Sequence, residues 1–237
     1  MVSKRGRLDQ FIASRLQISK KSVRGLLIDN KVRVDGHYAK SVDLLINEFS
    51  HIVCDGVVLR QYQACYFMLN KPDGVVSATL DEKHTTALSL LHGVEHDMLH
   101  IAGRLDLHST GLLLITNDAK WSAALMAPAN KVDKHYLVTL ANPITQEYVE
   151  AFAQGMYFEY ENITTLPVQL TLLSSHQARV VLREGKYHQI KRMFGRFRNP
   201  VVALQRESIG DIYLDNQLKP GEFRSLTKAE VDSVIQH

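Results

Sequence analysis

Two cysteines, Cys54 and Cys65, are all the thiol chemistry in 237 residues. Two thiols cannot complete a zinc site by themselves and provide no disulfide framework. No apolar run approaches the roughly 20 residues that a membrane span requires, and the basic start of the chain leads into no apolar core of a secretory leader. The expected setting is therefore reducing and cytoplasmic, with no membrane partner. A phosphate-cradling glycine loop and a dinucleotide fingerprint are also missing, which argues against nucleotide-driven phosphoryl transfer and hydride transfer. No Pro/Gly-rich spacer divides the chain, so any hinge is short. No long apolar heptad demands a second copy, and a monomer is expected.

What is present is an ordinary globular composition, 45% apolar, with a net charge of only +3. That small number conceals an asymmetry. Residues 1–40 hold ten Lys/Arg and three acids, or +7, and the remainder carries −4. A basic head on a mildly acidic body suggests a polyanion-binding module joined to a second domain.

The head has the pattern of a small folded unit. Leu8, Phe11, Ile12 and Leu16 fall on one face of a helix. Ser19 suits the N-cap of a second helix, with Val23, Leu26 and Leu27 inward. Lys31–Val34 alternates charged and apolar residues, as a half-exposed strand does, and Asp35-Gly36 is a hairpin turn signal. Val53–Leu59 reads as a closing hairpin around Asp55-Gly56. Lys20, Lys21 and Arg24 gather at the start of the second helix, and Lys31 and Arg33 leave one side of the strand. A solvated helix face explains such charges blandly. A phosphate-binding surface explains them with a consequence, because affinity would then fall steeply with salt.

The body centres on residues 100–118. Ile101 and Ala102 lead in, and Leu112–Ile115 is wholly apolar, as in a strand buried on both faces. Between them lies Asp106, flanked by Leu105 and Leu107. A carboxylate among leucines is either a turn residue or a group held charged for a purpose, since burying it unpaired costs several kcal/mol. Upstream, Tyr66–Leu69 is an apolar strand ended by the turn of Asn70-Lys71-Pro72-Asp73-Gly74. His92, His96 and His100 fall at i, i+4 and i+8, a spacing that on a helix could recruit zinc. Gly93 weakens a helix there, and the chain should already be a strand at His100. Surface histidines are the expectation, and no metal is assigned.

Downstream, Ala119–Met126 reads as a helix carrying the sole tryptophan. Lys134–Leu140 reads as a strand with Tyr136, Val138 and Leu140 on one face. Residues 145–156 suit a helix with Tyr148, Val149 and Phe152 inward, and residues 168–173 and 178–182 suit an antiparallel pair. In residues 183–198, Ile190, Met193, Phe194 and Phe197 form a helical apolar face amid basic residues. Residues 204–226 read as short strands, and Thr227 as the cap of a last helix.

Three strings in this order resemble the motifs of the pseudouridine synthases. These are Asn70-Lys71-Pro72 with Gly74, then Gly103-Arg104-Leu105-Asp106 with the Ser109–Asp118 run, and Glu184-Gly185-Lys186 followed by His188–Met193. The second and third are more similar to the branch that acts on small-subunit (16S) ribosomal RNA than to the large-subunit branch. The head, in turn, resembles the RNA-binding module first seen in ribosomal protein S-four, with Asn30 where that family often has glycine. Asn tolerates positive φ, so the departure is mild.

The resemblance implies an α+β protein: a small N-terminal α/β RNA-binding module over residues 1–60, a linker at 61–65 and a synthase domain over 66–237. That domain should have a mixed, mainly antiparallel central sheet flanked by helices. The implied activity is isomerisation of a uridine in 16S ribosomal RNA, at position 516 as is typical of the branch. The implied partner is that RNA or a pre-ribosomal small-subunit particle. The reaction has no redox or phosphoryl-transfer step, so no cofactor is implied. Lys134-x-Tyr136-x-Val138 resembles a further motif of the family, and Asp106, Lys191 and Tyr136 fall at its catalytic positions: the acid that acts on the ribose, the cation that keeps it ionised in a dry pocket, and the aromatic that stacks on the uracil. Arg104 matches the residue that fills the space left by the flipped base, and Leu105 and Ile190 would exclude water. Arg7, Lys71, Lys186 and Arg192 join Lys20, Lys21, Arg24, Lys31 and Arg33 as expected RNA contacts. A large-subunit synthase and a non-catalytic assembly factor are the competing readings.

Overall fold

The computed structural model describes residues 6–96 and 98–234. Lys4 and Arg5, counted in the basic head, and Asp97 lie outside the described residues. The chain divides into two compact units, Met1–Ala64 and Cys65–His237.

In the first unit, strand β1 (Gly6–Arg7) leads into helix α1 (Leu8–Leu16) and helix α2 (Lys20–Ile28). Leu8, Phe11 and Ile12 are buried as their spacing predicts, but Leu16, in the last turn of α1, is exposed. The Ser19 hydroxyl accepts from the Ser22 amide, as expected of the N-cap. Asn30 has φ +53°, the left-handed conformation that explains why glycine is its usual alternative. β2 (Val32–Val34) and β3 (His37–Tyr38) close around Asp35-Gly36, and β5 (Ile52–Cys54) and β6 (Val57–Arg60) around Asp55-Gly56. Together they form a four-stranded sheet, while β4 (Leu45–Ile46) pairs with β1. One core, from Leu8 through Val23 and Val32 to Cys54, holds the unit together.

The second unit is built on β7 (Tyr66–Lys71), β8 (His100–Ala102), β9 (Thr110–Thr116), α3 (Ala119–Met126), β10 (Lys134–Leu140) and α4 (Gln146–Gln154). A small hairpin of β11 (Tyr157–Phe158) and β12 (Ile163–Thr164) follows, then β13 (Gln169–Leu172), β14 (Gln177–Leu182) and α5 (Gln189–Gly195). The chain returns through β15 (Val201–Ile209), β16 (Ile212–Tyr213), β17 (Phe223–Ser225) and α6 (Lys228–Ser233). Thr227 and Glu230 make a reciprocal capping box at the start of α6, as the sequence led one to expect.

The sheet runs β13-β14-β10-β15-β9-β7-β17, with β8 on β9 and β16 on β15. Only β15 and β9 run parallel among these described pairs. The apolar run of β9 divides between two cores. Leu113 and Ile115 face the core that holds α4 and α5, whereas Leu112 and Leu114 face Trp121 and Leu125 of α3. Burying each such side chain stabilises the fold by about 1.5–3 kcal/mol.

β15 corrects the reading of the tail as short strands. It is nine residues long and central, flanked by β10 and β9. Its alternation is obscured because its inward positions include Arg206 and Ser208, both buried. A polar residue facing a core erases the period-two signal.

Candidate active site

The loop between β8 and β9 carries Asp106, and its backbone is clamped from below. Lys71, at the end of β7, has no solvent exposure, and its ammonium donates to the carbonyls of Pro72, Leu107 and Ser109 at 2.9, 3.0 and 2.7 Å. Burial pushes its pKa from the usual 10.5 down to about 8, against the pull of Asp73 and Asp106. The Ser77 hydroxyl donates to Leu105 O at 2.8 Å and accepts from Leu105 N at 3.0 Å. Arg206 reaches up from β15 and donates to Leu112 O, Gly103 O and Arg104 O at 2.8, 2.9 and 3.4 Å. The carbonyls of 103, 104, 105, 107 and 109 are thus held by three side chains, which fixes the loop that presents the Asp106 carboxylate.

The glycines at either end of the loop permit this approach. A Cβ on Gly111, at φ +95°, would lie 2.4 Å from Arg206 O, and one on Gly103 would lie 2.8 Å from Met126 Sδ. Gly111 pairs with Arg206 across the parallel β9–β15 ladder, so only a missing side chain lets the two strands meet.

The other wall comes from residues 184–191. Buried Gln189 donates to Glu184 Oε1 at 2.8 Å and accepts from Lys186 N at 3.0 Å, which folds the segment into a tight turn. His188 takes the left-handed conformation at φ +49° and starts α5. This turn brings two nitrogen groups to the acid from 82 and 85 positions away. His188 Nε2 lies 3.4 Å from Asp106 Oδ1, and Lys191 Nζ lies 3.5 Å from Oδ2. Arg104, Leu105, Tyr136, Ser109 and Ile190 line the same pocket as these three, so every expected catalytic and substrate-binding position converges there. Tyr136, Leu105 and Ile190 are buried in its walls, and Arg104 is exposed at its mouth.

The expected dryness is corrected. The Asp106 side chain is 31% exposed and that of Lys191 is 30% exposed. At 3.5 Å the attraction between unit charges ranges from about 1 kcal/mol in a water-like medium to about 5 kcal/mol at an effective dielectric of 20. A pair this open sits near the low end, so covering the pocket is what would strengthen it.

One expected RNA contact is corrected as well. Lys71 is enclosed beneath the loop and cannot reach a phosphate. The Arg192 guanidinium makes a two-pronged pair with Glu161 at 2.6 and 2.7 Å and lies 3.8 Å over the Phe158 ring, so its charge is already engaged. Arg7 is similarly forked onto Asp9. Lys186 is exposed and 4.0 Å from Glu184. In the first unit, Lys20, Lys21, Arg24, Lys31 and Arg33 are all exposed. Lys31 faces Asp55 at 3.5 Å, and Arg33 donates to the Tyr38 hydroxyl.

His92, His96 and His100 share no helix. His92 follows a 3₁₀ turn, His96 bonds to Leu91 O, and His100 on β8 bonds to the Ser122 hydroxyl. No metal-binding cluster of His, Cys, Asp or Glu is found among the described residues. No helix of the described residues is long and apolar enough to cross a membrane.

Sequence reasoning missed three residues at the site. His188 lies within a family motif, but nothing in that motif shows its contact with Asp106. Arg206 carries no signal, lying in a stretch that reads as short strands. Ser109 Oγ is buried in the pocket lining without a hydrogen-bond partner among the described residues, which no sequence pattern foretells.

A loop carboxylate faced by a lysine and an imidazole from a distant turn, beside a buried tyrosine and on a mixed sheet, agrees with the family suggested by these strings. The family model described as RNA pseudouridylate synthase matches residues 65–195, and the chain belongs to that family. Its likeness to particular members covers both units. It is 45% identical to ribosomal small subunit pseudouridine synthase A of Pseudomonas aeruginosa, over 96% of this chain and 100% of that protein. To the protein of the same name from Escherichia coli K12 it is 41% identical, over 97% and 100%. A crystal structure of a pseudouridylate synthase superposes with a TM-score of 0.70 at 36% identity, covering 96% of this chain and 99% of that one.

Proposed function

We propose that this chain isomerises a uridine of small-subunit (16S) ribosomal RNA to pseudouridine, at position 516. It acts as a cytoplasmic monomer on the RNA or on a pre-ribosomal particle. The observation that carries the reading is Asp106, held by a rigid loop within 3.5 Å of both His188 and Lys191 in a pocket lined by Tyr136. The names of the full-length relatives support the choice of RNA.

The chemistry follows from the placement. The target base leaves its stack, at a cost of a few kcal/mol, and enters the pocket. Asp106 acts on the ribose as nucleophile or as base. The C1′–N1 bond breaks, the uracil turns, C1′–C5 forms, C5 gives up its proton and N1 gains one. Lys191 attracts the carboxylate, more strongly once RNA covers the pocket and lowers the local dielectric. Tyr136 holds the uracil by stacking. Arg104, at the mouth, fills the gap left in the RNA, while Leu105 and Ile190 shield the intermediate from water. The first unit captures structured RNA through Lys20, Lys21, Arg24, Lys31 and Arg33.

The test is complementation of a strain lacking this protein, with pseudouridines then mapped in its ribosomal RNA. The wild-type chain should restore a modification in the 16S RNA. Asp106→Asn should restore none, while its purified form still binds the RNA. Turnover by that variant would overturn the assignment of Asp106. A restored site in the large-subunit RNA would overturn the choice of substrate.

A further inference from the structure

A second cavity adjoins the pocket at Asp106. The two share Arg104, Leu105, Asp106, Gly185, Lys186 and His188. The second is floored by Val76, Ser77 and Ala78, and Tyr187 lines it but not the first. Tyr187 is 73% exposed, and Gly185 and Lys186 before it are exposed too. Its ring nonetheless has a partner: it stacks on the His188 imidazole, with centroids 3.9 Å apart and planes inclined by 17°. One face is therefore covered by His188, whose Nε2 touches Asp106, and the other is open. Lys186 and Arg104 are exposed beside it.

We propose that this second cavity is a subsite for the nucleotide next to the target uridine in the RNA, with the open face of Tyr187 stacking on its base. The inference rests on the synthase reading above. An aromatic ring with one face buried against an imidazole and the other open is a stacking platform. Every nucleobase has a π-face to offer it. Lys186, shared by both cavities, is placed to meet the phosphate that joins the two nucleotides. Because the shared wall carries Asp106, the occupant of the second cavity is the chain neighbour of the occupant of the first. A seated neighbour would close one open side of the pocket. That supplies the covering which the exposed carboxylate lacks in the free protein.

The test uses the full-length chain and an RNA fragment spanning the modified uridine, made with or without an abasic nucleotide beside it. Turnover is followed by loss of label from C5 of the uridine. Tyr187→Ala should raise KM by about five- to a hundred-fold, as removal of one stacking partner does, while Tyr187→Phe stays near wild type. An abasic neighbour on one side of the uridine should weaken the wild type by a similar factor and add little to the loss in Tyr187→Ala. That shared loss distinguishes a contact from a general disturbance of the turn, which would reduce both RNAs equally. If both losses are large and multiply, or if Tyr187→Ala leaves KM unchanged, the subsite is refuted. A loss confined to intact particles and absent on naked RNA would assign Tyr187 to a protein neighbour instead and also refutes it. Failure of the wild type to modify either RNA or particle would overturn the synthase reading itself.

Discussion

Replacing Lys71 by methionine separates the stability of the fold from the alignment of its catalytic loop. The lysine has no solvent exposure, and burial lowers its pKa from 10.5 to about 8. A depression of that size means that keeping the charge inside costs about 3 kcal/mol. Methionine removes this cost and fills much of the same volume, but it withdraws the donor from the carbonyls of Pro72, Leu107 and Ser109. Leu107 O keeps the Gly74 amide at 3.1 Å. Each carbonyl left unpaired costs about 1–3 kcal/mol, so the two effects largely offset each other and the net loss at neutral pH is a few kcal/mol at most. Turnover is far more sensitive, because a loop displaced by about 1 Å loses about a hundred-fold in rate.

The pH dependence has a definite sign. Between about pH 8 and 10.5 the unfolded chain retains a proton that the folded chain has released. The unfolding free energy therefore rises with pH across that window by up to about 3 kcal/mol from this group, and is lowest from it below pH 8. Urea unfolding of wild type and Lys71→Met, near pH 7 and near pH 10, can be followed through Trp121, the only tryptophan. The wild-type gain should exceed that of the variant by about 3 kcal/mol. Parallel pH profiles, or wild-type turnover by Lys71→Met, would show that Lys71 does not hold the loop in the manner described.

The remaining predictions concern single contacts. Lys191→Met and His188→Gln should each lower kcat by about ten- to a hundred-fold with little change in RNA affinity, as loss of an interaction needed at the reacting acid does; an unchanged kcat removes that residue from the site. Gly111→Ala should destabilise the second unit by about 2–4 kcal/mol, because its Cβ meets the Arg206 backbone at an unfavourable φ; an unshifted urea midpoint would contradict the close approach of β9 and β15. Changing Lys20, Lys21 and Arg24 together to alanine should flatten the slope of log affinity against log salt by about 2–3, with kcat at saturating RNA preserved. An unaltered slope would show that these exposed cations do not bind phosphate.

Local pattern alone set out much of this chain. The face of Leu8, Phe11 and Ile12, the Ser19 and Thr227 caps, the two Asp-Gly turns and the doubly buried Leu112–Ile115 run are each written in neighbouring residues. Periodicity reports which side of an element meets a core, and turn chemistry reports where it stops. The family strings added Asp106, Tyr136 and Lys191, and the fold brings all three to one pocket. Tertiary structure decided what no stretch of sequence contains. Lys71 looks like any surface cation beside a proline turn, yet strand pairing places it under the loop. Arg206 breaks the pattern of its own strand because its partners are backbone carbonyls near residue 103, far away in the chain. His188 meets Asp106 only because Gln189 and Glu184 fold the preceding turn. Such contacts join residues with no fixed spacing, and a buried charge is stable only where its partners happen to converge. Convergence is a property of the fold and leaves no period in the sequence.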